Sequence, residues 1–105
     1  MKYVISKLER KTGIIQETQQ KYDNVVMDLL LTEEDPMYYR NLLGGRPSSE
    51  IKVKTDLFNE LVYDPAKVVT SWNDLAWCEI ELYVDVASGK VICIKVLSID
   101  GKAKL

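Results

Sequence analysis

Apolar and polar residues alternate most cleanly over the last third of the chain, on either side of Ala87-Ser88-Gly89. Three-residue hairpin loops favour glycine at their third position, where the backbone turns left-handed and a Cβ is penalised. With Val86 closing the loop opposite Lys90, counting outward pairs Val84 with Ile92, Leu82 with Ile94, Ile80 with Val96 and Glu81 with Lys95. One face then collects Cys78, Ile80, Leu82, Val84, Val86, Ile92, Ile94 and Val96. The other carries Trp77, Glu79, Glu81, Tyr83, Asp85, Val91, Cys93, Lys95 and Leu97. A slip of one residue would mix the two sets, so the pattern specifies the register. Cys78 and Cys93 fall on opposite faces in it, which forbids a bridge and predicts two free thiols.

Similar loop chemistry recurs early, where Lys11-Thr12-Gly13 divides residues 3–17 into a second predicted hairpin with Lys7 opposite Glu17. Tyr22, Val25, Val26, Leu29 and Leu30 then form a stripe at helical spacing, and Thr18 is a suitable N-cap. The stripe predicts a helix over residues 19–31. A strand over residues 25–31, suggested by the β-branched pair Val25-Val26, is the shorter alternative. Asp35-Pro36 reads as the start of a short helix stopped by Gly44, with Glu33, Glu34 and Asp35 at its positive dipole end.

Ile51, Val53 and Thr55 alternate with Lys52 and Lys54, the pattern of a half-buried strand. Residues 57–62 suit a helical turn after an Asp56 cap, broken by Asp64-Pro65. Lys67-Val68-Val69-Thr70 suits a short strand, and Ser71-Trp72-Asn73-Asp74 a turn. These elements predict one α+β domain over residues 1–105. Its single antiparallel sheet comprises an N-terminal hairpin, a central strand and a C-terminal hairpin, with two or three helices packed on one face.

Composition narrows the chemistry. The 105 residues suit one domain, 47% of them are hydrophobic, and a net charge of −2 leaves no basic footprint for nucleic acid or anionic lipid. Charges interrupt the opening residues too early for a secretory leader, and no run approaches a membrane span. Unpaired cysteines fit a reducing compartment, so a cytoplasmic protein is expected.

Histidine is absent, which removes Ser-His-Asp and Cys-His nucleophile systems and His-ligated zinc. Two isolated cysteines cannot build a Cys₄ site, and no metal or cofactor is expected. Gly44-Gly45-Arg46-Pro47-Ser48-Ser49 follows a helix end, unlike a phosphate cradle at a helix start. Glu33, Glu34 and Asp35 diverge, unlike a cation loop. Glu79 and Glu81 share a strand face about 7 Å apart, a carboxylate spacing that a solvated reverse face also explains. Cys93 lies beside Tyr83 and Lys95 but lacks a His partner.

Aromatic residues are the richer signal. Tyr38 and Tyr39 are adjacent on a short predicted helix and cannot both face inward, and Trp72 falls in a polar turn. With Arg40 they are the residue types enriched in binding hot spots. The expectation is therefore a non-enzymatic protein-binding module, such as an inhibitor, an immunity or antitoxin-like protein, or a phage-encoded antagonist. Tyr38, Tyr39, Arg40 and Trp72 are its contacts, and a free edge strand is available to a partner or a second copy. The alternative is a single-stranded nucleic-acid binder stacking bases on Tyr3, Trp77 and Tyr83 beside Lys7 and Lys95, which the acidic balance opposes. A small-molecule sensor or enzyme using Glu79, Glu81, Tyr83 or Cys93 ranks last.

Overall fold

The computed structural model describes residues 1–32 and 48–105. Its first two strands, β1 (Lys2–Ile15) and β2 (Gln20–Leu31), form one long hairpin. Then come β3 (Ser48–Lys54), helix α1 (Thr55–Leu61), the two-residue strand β4 (Val62–Tyr63), a 3-10 turn (Trp72–Leu75), β5 (Glu79–Val84), β6 (Val91–Ser98) and a closing 3-10 turn (Gly101–Lys104). All six strands share one sheet in the order β3-β2-β1-β5-β6-β4.

The expected α+β domain with two or three helices is corrected to a mainly β fold. Among the described residues α1 is the one α-helix, and the sheet includes a parallel pair, β4 with β6. The expected helix over residues 19–31 is the strand β2. Val25, Met27, Leu29 and Leu31 are buried in alternation, while Val26 is also buried and Leu30 half-buried between them. A central strand with apolar residues on both faces loses its two-residue period and imitates a helical stripe. The helix starting at Asp35-Pro36 lies outside the described residues.

The early turn is also displaced. β1 continues through Gly13, which lies opposite Tyr22, and the chain reverses at residues 16–19. Lys7 consequently faces Asp28, not Glu17. Gly13 answers to packing, because a Cβ there would lie 2.5 Å from the Tyr22 hydroxyl oxygen. The left-handed residue of the actual turn is Gln19 (φ 58°), whose N–H donates to the Ile15 carbonyl at 2.7 Å. Gly89 (φ 71°) likewise donates its N–H to Asp85 at 2.7 Å. The two hairpins thus share a loop geometry, with glycine at its end in one case and glutamine in the other.

In the second hairpin Ile80 opposes Val96, Glu81 opposes Lys95 and Leu82 opposes Ile94, as the alternation requires. Beyond Tyr83 a bulge at Ile92 shifts the register, so Val84 faces Val91 and the Asp85 N–H donates to the Lys90 carbonyl. The expected core face therefore ends early. Cys78, Ile80, Leu82, Ile94 and Val96 are buried, but Val84, Val86 and Ile92 are 42%, 99% and 58% exposed.

Residues 67–70 do not form a strand. Lys67 is left-handed (φ 53°), and the Asp64 carboxylate accepts the N–H groups of Val68 and Val69 instead. The turn at Trp72 is present and closed by a reciprocal capping box between Ser71 and Asp74.

Phe58 from α1 and Leu75 from the 3-10 turn join Ile5, Val25, Met27, Leu29, Ile80 and Ile94 in the core. On the reverse of the sheet, buried Gly101 lies against Val4 and Glu79. Only residues 2–4 of β1 pair with β5. Two half-sheets, β3-β2-β1 and β5-β6-β4, are therefore staggered and joined by a short seam.

Candidate functional site

Because the sheet curls around Phe58, the end of β3 approaches the tip of the β5–β6 hairpin, with α1 alongside. An open groove of about 550 Å³ lies between them. Its apolar lining comes from Ile51 and Val53 on β3, Leu57 and Leu61 on α1, and Val84 and Val91 on the hairpin. Leu57 is 47% exposed, although it immediately precedes Phe58, the buried residue of α1. Lys52, Lys54 and Lys90 also line the groove, against the single carboxylate of Glu50. An apolar floor with a cationic margin suits a partner presenting apolar side chains among acidic ones.

Of the contact residues expected from sequence, Trp72 alone falls within the described residues. Tyr38, Tyr39 and Arg40 lie outside the described residues. Trp72 is half-buried: its ring meets Phe58 edge-on at 5.2 Å between centroids, and its indole N–H donates to Asn59 Oδ1 at 2.8 Å. These contacts hold it at the margin of the core.

The face proposed for base stacking is divided. Tyr3 opposes Ile80 and packs against the core, whereas Tyr83 opposes Cys93 and is 40% exposed. Trp77 adopts φ 67°, donates its N–H to the Ile5 carbonyl and accepts the Gly101 N–H. Lys102 Nζ sits 4.3 Å from the centre of its ring. Glu79 is 8% exposed beneath the closing turn, and Glu81 stands between Lys2 and Lys95 on the neighbouring strands. Tyr3 and Tyr83 therefore lie on opposite faces of the sheet and do not form one aromatic platform.

Both cysteines are free. Cys78 donates its thiol to the Asp74 carbonyl, and burial, reinforced by the charges of Asp64 and Asp74, pushes its pKa up to about 11. A thiol so protonated is a poor nucleophile.

Sequence reasoning missed Leu57, Val84 and the groove they share. Their exposure follows from the curl and the bulge, neither of which leaves a local pattern. Among the described residues no group of three or more Cys, Asp or Glu is placed to hold a metal, and no helix is long and apolar enough to cross a membrane. No family model, curated protein or solved structure matches the chain.

Proposed function

We propose that this chain is a cytoplasmic, non-enzymatic protein-binding module of inhibitor-like character. Its groove receives an amphipathic, acidic segment of another protein. The supporting observation is the combination of an exposed apolar floor, centred on Leu57 and Val84, with three lysines on the lining. Apolar contact supplies the affinity in such a site, while the charged margin selects the partner and accelerates encounter.

The reading is tested by selecting binders from a random peptide display library on the immobilised protein. Selected peptides should interleave aliphatic or aromatic residues with Asp and Glu. Their affinity should fall at least about tenfold for Leu57→Asp, a single hot-spot loss, and should weaken with added salt. Leu57 is exposed, so the melting temperature should change little. Peptides that bind Leu57→Asp and the unaltered protein equally would overturn the assignment.

A further inference from the structure

β3 stands at one end of the sheet, with β2 along one edge and, among the described residues, no strand along the other. The groove borders that open edge. Five consecutive residues of β3, Glu50 to Lys54, line it, whereas a groove lying on one face of a strand would meet only alternate residues. The register sorts the five by face. Ile51 and Val53 oppose the buried Met27 and Val25 and share the core face, while Glu50, Lys52 and Lys54 belong to the reverse. Across the groove stand Val84 and Val91 of the second hairpin, with Gly89 and Lys90 at its turn.

We propose, resting on the groove as the binding site, that the partner enters it as an extended segment and adds a strand beside β3. A strand sits about 4.8 Å from its neighbour and satisfies the open N–H and C=O groups of the edge. A helix, about 10 Å across, bonds its main chain internally and leaves that edge unmet.

The two-residue period then assigns a chemistry to each side chain of the segment. Residues beside Ile51 and Val53 turn to the side on which α1 packs, toward Leu57 and Leu61, and are apolar. Residues beside Lys52 and Lys54 turn to the reverse, where neither lysine has an ion-pair partner among the described residues. Asp or Glu in those positions makes favourable cross-strand pairs. Glu50 begins the run, so the acidic residues belong toward its Lys52–Lys54 end. The ligand is an extended segment alternating aliphatic with acidic residues.

Two synthetic twelve-residue peptides of equal Leu and Glu content separate the conformations. One alternates the two residues, and the other spaces its leucines at three- and four-residue intervals. Titration calorimetry should show the alternating peptide binding at least about tenfold tighter, and Leu57→Asp should abolish the advantage. Successive N–H groups of a strand point to opposite edges, so methylating the leucine amides or the glutamate amides blocks one edge at a time. The two methylated peptides should differ in affinity by at least about tenfold.

Lys52→Glu with Lys54→Glu should weaken the alternating Leu–Glu peptide about tenfold and admit an alternating Leu–Lys peptide in its place. Both lysines are exposed, and circular dichroism confirms that the variant folds. Tighter binding of the helically spaced peptide, or equal losses from both methylations, would overturn the added strand while dependence on Leu57 preserved the groove as the site. Binding indifferent to Leu57→Asp, or no binding by either peptide, would remove the groove reading and the strand with it. A free protein that sediments as a dimer, dissolved by Leu57→Asp, would put a second copy in the groove instead.

Discussion

A methyl group added at Gly101 would lie 2.7 Å from the Trp77 carbonyl oxygen, 2.8 Å from the Glu79 nitrogen and 2.8 Å from Val4 Cγ2. Two of those atoms are backbone and the third belongs to a fully buried side chain, so none can retreat cheaply. Gly101→Ala should therefore cost about 1–3 kcal/mol, the usual range for overpacking, and lower the denaturant midpoint accordingly. At Gly13 the atoms in the way belong to the far end of the exposed Tyr22 side chain. Tyr22 can swing aside, and Gly13→Ala should cost less than Gly101→Ala in the same denaturant titration. Equal losses would mean that Tyr22 is held over Gly13 as firmly as the closing turn is held against β5.

At the scale of elements, Asp23 ties three of them together. Arg10 on β1 grips both carboxylate oxygens, through Nε at 2.9 Å and Nη2 at 2.6 Å, and the Thr55 hydroxyl at the start of α1 donates to Oδ1 at 2.6 Å. These hydrogen bonds, Arg10's first, hold the carboxyl at about 2, below its ordinary 3.8. A depressed folded-state pKa stabilises the protein above the unfolded value and ceases to do so as pH falls through the folded one. Wild type should thus lose melting temperature between about pH 4 and 2, and Asp23→Asn should lose less over that interval. An identical acid limb in both would show that the fork contributes nothing to stability.

The same elements show what the sequence could disclose. The inner rungs of β5 and β6 were legible because Ile80, Leu82, Ile94 and Val96 are buried while Glu81 and Lys95 between them are not. β2 was not, because Val26 and Leu30 blur its alternation, and its turn was hidden because Gln19 holds a position that glycine usually marks. The groove was illegible for another reason: Val84 is far in sequence from Ile51 and Leu57, and meets them only when the sheet curls.

The whole molecule is two local assemblies joined across a seam. Each hairpin brings together residues close in sequence, whereas pairing Tyr3 with Ile80 closes a loop spanning most of the chain. Loop entropy opposes that closure until the contacts it makes are complete, so the seam should form late in folding. Val4, fully buried between Leu30 and Glu79, reports on it. Val4→Ala should destabilise the protein by about 1–3 kcal/mol, mostly by accelerating unfolding, with refolding nearly unchanged. Refolding slowed in proportion to the lost stability would instead place Val4 in the nucleus. The stagger between the half-sheets thereby sets an itinerary for disassembly: the molecule should unzip first along residues 2–4, leaving each ribbon briefly intact on its own.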